Sequence, residues 1–254
     1  MTKGVPVSIV VPVRDEADRI ARFVATHNWA DEIIIVDNGS IDATATIAAS
    51  GGARVLSAPG VTIGEARNLG ADAARHEWIL ALDADEVADE GVVTALRALA
   101  ETPSTFDAFR IERRNFVLGR EQRHGAFARN RVTRCYRRAL RWTTRPVHET
   151  LTVTGPVGTL SGALLHTPYR SLDDHVARMD RYARLGAQAL HAEGRRAGIA
   201  DRYLRPAWRW LRTAVFRGGL LDGSTGWTLA RLDARATYLK YRYLHELGRG
   251  MERS

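Results

Sequence analysis

The sequence has almost no cysteine and no long apolar run. Its 254 residues include a single cysteine, Cys135, which excludes an internal disulfide framework and a cysteine-only zinc site and fits a reducing compartment. No stretch approaches the roughly 18 uninterrupted apolar residues of a membrane span, and the first residues lack a signal-peptide pattern. We therefore expect a cytoplasmic protein that is neither secreted nor membrane-spanning.

Two phosphate-binding motifs are also missing. A dinucleotide site would carry G-x-G-x-x-G after the first strand, and a P-loop would end in G-K-[ST]. Neither pattern occurs anywhere in the chain. These absences argue against NAD-dependent and ATPase chemistry.

The two ends of the chain differ in charge. Residues 1–100 contain 8 basic and 15 acidic residues, whereas residues 101–254 contain 29 basic and 14 acidic ones. Arginines alternating with aromatic residues could bind nucleic acid. Because no recognised nucleic-acid motif accompanies them, we expect no nucleic-acid partner. The alternative to an enzyme is a non-catalytic basic protein that binds nucleic acid or anionic lipid.

The first hundred residues alternate short apolar runs with segments of helical spacing. Apolar runs of this length without alternation are typical of strands that are buried on both faces. The pattern predicts an α/β fold with a mostly parallel central sheet flanked by helices. The predicted strands are 7–13, 32–37, 53–57 and 77–83, and the predicted helices are 15–27, 41–51, 63–75 and 88–100.

Beyond residue 100 the predicted strands are more polar, and the last part is helical. We expect strands at 106–118, 131–137 and 147–165, then helices at 171–193, 201–216 and 224–247, the first with a capping box from Ser171 and Asp174. The chain thus divides into three predicted parts, namely 1–100, 101–168 and a helical C-terminal extension at 169–254.

Carboxylates follow the predicted strands where ligands of parallel sheets bind. Asp83 and Asp85 directly follow the run WILAL, and Asp37 ends the run EIIIVD. Two carboxylates spaced in this way can share Mg²⁺ or Mn²⁺ with a diphosphate. The alternative is that the first two form a solvated acidic turn and that Asp37 caps the next helix.

Four ordered segments resemble the nucleotide-sugar half of glycosyltransferase family 2, an inverting group with the GT-A fold. They are VSIVVPVRDEADRI, EIIIVDNGSIDAT, GEARNLGADAA and WILALDADE, within residues 5–90. Later segments are similar to bacterial lipopolysaccharide core glycosyltransferases that add glucose to an inner-core heptose. These segments are NFVLGR (115–120), RPVHETLTVTG (145–155), LLHTPYRSLDDHV (164–176), RYARLGAQALHAEGRRAG (181–198) and LLDGSTGWTLARLDARATYLKY (220–241).

The resemblance implies a role for each matching position. Residues 1–100 would bind the nucleotide-sugar, residues 101–168 would lie on the acceptor side, and Asp85 would ligate the metal that neutralises the leaving diphosphate. Asp37 would meet the uracil or ribose, and Asp83 the ribose or sugar. Border residues of the base pocket would be Pro12, Arg14 and Glu16, and the residues approaching the donor would be Arg67 and Asn68.

An inverting transfer is a single displacement, so it needs one general base for the acceptor hydroxyl. Glu149 is our candidate because the family places an acceptor-side carboxylate well downstream, and His148 is the second choice. The alternative for Glu149 is an ion pair with one of the many arginines. A zinc protease motif beginning at His148 fails because Thr152 stands where its second histidine belongs.

The helical extension combines arginines with aromatic and aliphatic residues between residues 195 and 217. This composition favours an interfacial helix on an anionic membrane surface, which would suit a glycolipid acceptor. The alternative is that the aromatics form the core of the extension. The expected function is transfer of a hexose, glucose from UDP-glucose, to a lipid-linked core oligosaccharide; the alternative acceptors are polyprenyl-phosphate and capsular or other glycans.

Overall fold

The computed structural model describes residues 4–145 and 149–251, which form two compact units. The first unit comprises the chain up to Arg113 together with Asn130–His166, and the second comprises Arg114–Arg129 and the chain from Thr167 onward. Each unit has its own buried apolar clusters.

The first unit is an α/β structure built on one large sheet. From one edge of the sheet to the other, its strands are Arg54–Ser57, Ala30–Asp37, Val5–Val13, Trp78–Ala81, Asn130–Arg137, Ala108–Val117, Val157–His166 and Glu86–Ala88. Its helices are α1 (Ala17–Thr26), α2 (Thr44–Ser50), α3 (Ile63–Ala73) and α4 (Glu90–Glu101). Its strands are β1 (Val5–Val13), β2 (Ala30–Asp37), β3 (Arg54–Ser57), β4 (Trp78–Ala81), β5 (Glu86–Ala88), β6 (Ala108–Val117), β8 (Asn130–Arg137), β9 (Arg141–Trp142), β10 (Leu151–Thr152) and β11 (Val157–His166).

The first four strands are parallel, as their continuous apolar runs predict. Ile9 of β1 belongs to the apolar cluster on one face of the sheet, and its neighbour Val10 belongs to the cluster on the other. Residue Val13 of β1 pairs in register with Asp37 of β2. The carboxyl ends of these strands therefore lie along one edge, as expected.

The later strands make the sheet mixed. Strand β8 runs antiparallel to β4, with Leu80 opposite Cys135, and β11 runs antiparallel to β5, with His166 opposite Glu86. Sequence patterns did not predict β5, because three residues are too few to show a period. This short strand brings the end of β11 beside the acidic turn that follows β4.

A capping box fixes the start of α3. The side chain of Thr62 accepts a hydrogen bond from the backbone N–H of Glu65, whose carboxylate accepts one from the backbone N–H of Thr62. Two donors of the first helical turn are thereby satisfied reciprocally. Helix α3 carries Arg67 and Asn68, so this cap helps to set the position of both side chains.

The second unit is mostly helical, as predicted. Its long helices are α5 (Leu172–Ala192), α6 (Ile199–Leu211) and α7 (Gly223–Met251), and a π-helical turn at Arg212–Phe216 extends α6. A short strand, β7 (Arg120–Gln122), and a single 3₁₀ turn at Gly125–Phe127 precede them in the chain. Helices α5 and α7 pack through Met179, Ala183 and Leu239. Among the described residues, no helix combines the length and the apolar character that crossing a bilayer requires.

The predicted cap of α5 is half formed. Ser171 accepts a hydrogen bond from the N–H of Asp174 at 3.1 Å, as predicted. The Asp174 carboxylate, however, accepts from the N–H of Arg170 at 3.0 Å instead of returning to Ser171. The helix start is therefore as expected, and only the partner of the carboxylate differs.

Candidate active site

Asp37 organises the loop that follows β2. It is buried, with 7% of its surface exposed, and its Oδ1 accepts hydrogen bonds from the N–H and the hydroxyl of Ser40 at 3.0 and 2.5 Å. The alternative role of capping the next helix is wrong, because α2 follows Ala43 and it is Asp42 that accepts from the N–H of Thr44. Contact with the uracil or ribose stays a prediction.

The residues after β1 meet this loop. Asp15 has a φ of 55°, and its N–H donates to the Ser40 hydroxyl at 3.0 Å. Among the predicted base-pocket residues, Pro12 lies half-buried at the end of β1, the Arg14 side chain is 66% exposed, and Glu16 precedes the first residue of α1. The structure thus brings together the loops after β1 and β2, and contact of these residues with a base stays a prediction.

Asp83 is held between two guanidinium groups. Arg67 donates a 2.8 Å hydrogen bond to Oδ1, and Arg134 donates a 2.5 Å hydrogen bond to Oδ2. Burial opposes ionisation, but the positive charges of Arg134 and Arg67 outweigh it and hold the pKa of Asp83 well below its usual range. The predicted acid is therefore an ionised carboxylate that two arginines orient, with 38% of its side chain exposed.

Sequence patterns did not reveal the role of Arg134. This residue lies on β8, and only the register between β8 and β4 brings it to Asp83. It also donates to Glu86 at 3.3 Å, while Arg113 lies 3.5 Å from the same fully buried carboxylate. Strand β8 contains three arginines, and nothing in the sequence distinguishes Arg134 from the other two, so its partner became visible only in the fold.

Glu149 shares a cavity with Asp83. Arg67, whose side chain is only 3% exposed, donates to Glu149 Oε1 at 3.0 Å, and its guanidinium lies 4.4 Å from the centre of the Trp142 ring. The cavity has a volume of about 610 Å³. The structure thus unites the predicted donor-side acid with the candidate base, and the alternative ion pair of Glu149 is also formed. The second choice, His148, lies outside the described residues.

Asn68 binds the backbone of Trp142. Its side-chain amide donates to the Trp142 carbonyl at 2.9 Å and accepts from the Trp142 N–H at 2.9 Å. These two bonds fasten β9 to α3 beside the cavity. Direct contact of Asn68 with a donor stays a prediction.

Asp85 lies between two basic side chains. Nε2 of His166 is 3.6 Å from Oδ1, and Nη1 of Arg19 is 3.6 Å from Oδ2. Oδ1 is buried and has no hydrogen-bond partner, which is unusual because a buried carboxylate oxygen normally accepts at least one hydrogen bond. The spacing of the histidines in the sequence did not indicate a ligand role for His166, and the pairing of β11 with β5 places it here.

The spacing of these two side chains fits a shared divalent cation. Adjacent ligands of an octahedral Mg²⁺ lie about 3 Å apart, near the 3.6 Å between Asp85 Oδ1 and His166 Nε2. Within residues 4–145 and 149–251, no three His, Cys, Asp or Glu side chains cluster closely enough to hold a metal. A cation here would therefore depend on ligand oxygens, as Mg²⁺ at phosphate sites usually does.

Comparison with known proteins identifies the family. The Glycosyl transferase family 2 model matches residues 8–162. The lipopolysaccharide core biosynthesis glycosyltransferase LpsC of Rhizobium meliloti is 24% identical over 95% of this chain and 95% of its own length. An uncharacterized glycosyltransferase of Rickettsia prowazekii is 24% identical over 95% of this chain and 87% of its own.

Other similarities cover less of the chain. A TPR repeat-containing protein of Synechococcus elongatus is 36% identical over 56% of this chain and 34% of its own, so the chain spans about a third of that relative. A crystal structure of glucosyl-3-phosphoglycerate synthase from Mycobacterium tuberculosis, in complex with Mn²⁺, UDP and glucosyl-3-phosphoglycerate, is 24% identical. That match covers 44% of each chain with a TM-score of 0.35.

The family match and the fold agree. The family model spans both the parallel strands with their terminal acids and most of the antiparallel half of the sheet. The predicted α/β fold with a central sheet flanked by helices and a helical C-terminal extension is confirmed, although the sheet is mixed and not mostly parallel. The chain is a glycosyltransferase and belongs to glycosyl transferase family 2.

Proposed function

We propose that this enzyme transfers glucose from UDP-glucose, with inversion, to a hydroxyl of a lipid-linked core oligosaccharide. The similarity to LpsC over 95% of both chains supports an acceptor of the lipopolysaccharide core. Family membership excludes the alternative of a non-catalytic basic protein as the main function. The choice of sugar and nucleotide rests on the resemblance of the sequence motifs.

The observation that carries the proposal is the pair Asp85 and His166 at the carboxyl edge of the sheet. Oδ1 of Asp85 is buried without a hydrogen bond and faces Nε2 of His166 at 3.6 Å. We assign both residues as ligands of Mg²⁺ or Mn²⁺. When bound, such a cation neutralises the diphosphate of the leaving nucleotide.

The residues of the adjacent cavity bind and orient the reactants. Arg67 and Arg134 fix both oxygens of Asp83, so this carboxylate presents a rigid acceptor to sugar or ribose hydroxyls. Glu149 lies on the other side of Arg67 and takes the proton of the acceptor hydroxyl. Since Arg67 is almost fully buried and bonds to both carboxylates, it sets the distance between them.

An apolar face of α6 supports contact with a membrane. Four apolar residues spaced by four, three and four positions form one helical stripe, namely Leu204, Trp208, Leu211 and Val215. The exposed fraction of each lies between 36% and 68%. Within residues 195–221 there are seven arginines and a single acid, Asp201. We propose that this face lies on an anionic bilayer, as apolar stripes flanked by arginine do, and that it brings the enzyme to a glycolipid on the cytoplasmic side. The alternative of core packing applies to Trp210, which meets Trp227.

A panel of nucleotide-sugars tests the donor without knowledge of the acceptor. Purified enzyme is incubated with UDP-, GDP-, ADP- and dTDP-sugars, with Mn²⁺ or with EDTA, and released nucleotide is measured. We expect hydrolysis of UDP-glucose that requires Mn²⁺ and is absent in Asp85→Asn, with Asp72→Asn, a surface acid paired with Arg141, as control. Preference for another nucleotide-sugar contradicts the donor assignment, and equal hydrolysis in EDTA contradicts the metal.

A further inference from the structure

The second unit contains a cavity of its own. Its volume is about 440 Å³, and it lies between α5 and α7, with Arg209 of α6 and Phe127 of the 3₁₀ turn at its border. Apolar side chains on these helices, among them Met179 and Leu229, line part of it. Small-molecule sites in proteins typically have about 300 to 1,000 Å³, so the cavity is large enough for a sugar.

One wall of the cavity is aromatic. The rings of Tyr169 and His175 are stacked at 3.9 Å and nearly parallel, with an interplanar angle of 3°. Phe127 meets both of them edge-on, at 5.8 and 6.0 Å. His175 is 9% exposed, and its Nδ1 has no hydrogen-bond partner. Such a wall offers a broad apolar surface and an unused polar atom.

The rest of the lining carries an excess of positive charge. Three cations, Arg178, Arg209 and Lys240, line the cavity with one acid, Asp233. The Nε of Arg178 donates to Asp174 Oδ1 at 2.9 Å, so three cations meet two carboxylates and one positive charge remains in excess. Asp233 already accepts hydrogen bonds from Arg209 Nε at 2.6 Å and from Thr213 at 2.8 Å. The Lys240 ammonium has no carboxylate partner among the described residues, and it lies 4.9 Å over the Tyr241 ring.

Local electrostatics agree with this excess. Burial lowers the pKa of Lys240, and the neighbouring guanidinium groups of Arg205, Arg209 and Arg195 lower it further. A bound anion would relieve this repulsion. Phosphate suits the lining best, because guanidinium and ammonium donors are the side chains that proteins use for phosphate oxygens.

We propose that this cavity binds a phosphorylated saccharide, with its phosphate on Arg178 and Lys240 and its ring against the Tyr169 and His175 pair. This site is distinct from the cavity that contains Asp83 and Glu149. That the phosphorylated sugar belongs to the acceptor rests on the proposed function. Binding itself does not, since it needs neither donor nor metal.

Calorimetric titration of the full chain with glucose 6-phosphate tests the site, with glucose and inorganic phosphate as separate probes. We expect saturable binding of glucose 6-phosphate, at least about tenfold tighter than either probe alone, since both halves of the ligand contribute. The titration is repeated with saturating UDP and Mn²⁺. An unchanged affinity supports a separate site, and competition with UDP would overturn it.

Variants locate the binding to this cavity. Lys240→Met keeps the apolar stem that packs near Gly186 and removes the charge, so we expect affinity to fall about tenfold or more. Tyr169→Leu should weaken the binding of glucose 6-phosphate but leave the weak binding of inorganic phosphate unchanged. The control is Arg242→Gln, on the same helix but paired with Glu246 outside the cavity, which should change affinity by less than about twofold.

Several results would overturn the inference. One is that the parent does not bind glucose 6-phosphate, and another is that it binds inorganic phosphate with equal affinity. A third is that Lys240→Met and Arg242→Gln lose affinity for glucose 6-phosphate to the same extent. The same samples are tested for Mn²⁺-dependent binding of UDP. If UDP binds and glucose 6-phosphate does not, the cavity assignment alone fails and the proposed transferase function stands.

Discussion

Glu149 accepts a 3.0 Å hydrogen bond from Arg67. The same guanidinium donates to Asp83 at 2.8 Å, so one buried arginine links the candidate base to the acid at the end of β4. Sequence separation between these carboxylates is large, and neither could be placed relative to the other without the fold. Their shared partner makes the two ends of the proposed reaction site one rigid arrangement.

Replacing the candidate base should separate chemistry from binding. Glu149→Gln retains an oxygen that accepts from Arg67 but cannot take a proton, so we expect the transfer rate to fall about a thousandfold. Donor binding, measured by titration with the nucleotide-sugar, should stay within about twofold of the parent. Glu246→Gln, an exposed glutamate on α7, is the matched control. Normal turnover in Glu149→Gln would remove this residue as the base.

The position of Glu149 also depends on a glycine. A Cβ at Gly64 would overlap the carbonyl oxygen of Thr143 and lie 3.5 Å from Cβ of Glu149. In Gly64→Ala the chain around Thr143 must move, so we expect transfer to fall about tenfold or more. Unfolding stability should fall as well, because a backbone carbonyl must shift, and the helix propensity of about 1 kcal/mol that alanine has over glycine offsets only part of this loss.

The control for this substitution is Gly248→Ala in α7, where an added Cβ has no neighbour within 4 Å. It should leave transfer unchanged and raise the melting temperature slightly. Turnover and thermal unfolding of both variants are measured together. Full activity in Gly64→Ala would show that the loop position does not matter for the reaction.

Buried His27 should make stability depend on pH. Its Nδ1–H donates to the Phe23 carbonyl at 2.8 Å and its Nε2 accepts from the Ala88 N–H at 3.3 Å, an arrangement that only the neutral ring can make. Burial lowers its pKa, although the bond to Phe23 opposes this. The unfolded chain therefore takes up a proton on His27 at higher pH than the folded protein does. The contribution of His27 to the free energy of unfolding is fully present above about pH 6.5 and is lost as the pH falls towards the folded pKa.

Urea unfolding between pH 7.5 and pH 5 measures this loss. The free energy of unfolding should decrease with falling pH in the parent, and the slope should be smaller in His27→Gln, whose amide can make both hydrogen bonds. His191→Gln, at the end of α5, should keep the parental slope. An identical pH dependence in His27→Gln and the parent would contradict the assigned role of His27.

The exposed face of α6 should bind anionic membranes. We expect the enzyme to sediment with phosphatidylglycerol vesicles and not with phosphatidylcholine vesicles, and binding should weaken with salt. A Leu204→Ser and Trp208→Ser double variant removes two side chains that are 68% and 57% exposed. It should bind about tenfold more weakly without loss of thermal stability. Ile41→Ser, which removes an equally apolar side chain that is 95% exposed on the first unit, is the control, and an equal loss there would contradict the proposal.

Much of the fold could be predicted because its parallel strands are continuous apolar runs and its helices have apolar residues at helical spacing. The parallel strands, α1 to α4 and α5 to α7 lie close to their predicted ranges. Strand β5 was missed because three residues carry no period. The antiparallel pairing of β8 with β4 and of β11 with β5 was also not predicted, since register between distant strands is set by packing and not by local pattern.

The candidate site was predictable only in part. Strand-end carboxylates such as Asp83 and Asp85 stand out in the sequence because acids follow apolar runs. Their partners, Arg134 and His166, lie on strands whose neighbours depend on tertiary pairing. The fold also gave Asn68 a binding partner in the chain itself, the backbone of Trp142, which no motif could reveal.

Asp85 and His166 are the proposed ligands of a divalent cation that binds the nucleotide diphosphate, and stabilisation by UDP in the presence of Mn²⁺ measures this binding. With UDP at about 100 times its Kd, we expect a rise in melting temperature of about 5 °C or more in Mn²⁺ and none in EDTA. The rise should disappear in Asp85→Ala and shrink in His166→Ala, and it should persist in Asp72→Ala, the surface control. Equal stabilisation by UDP in the parent and in Asp85→Ala would contradict the account.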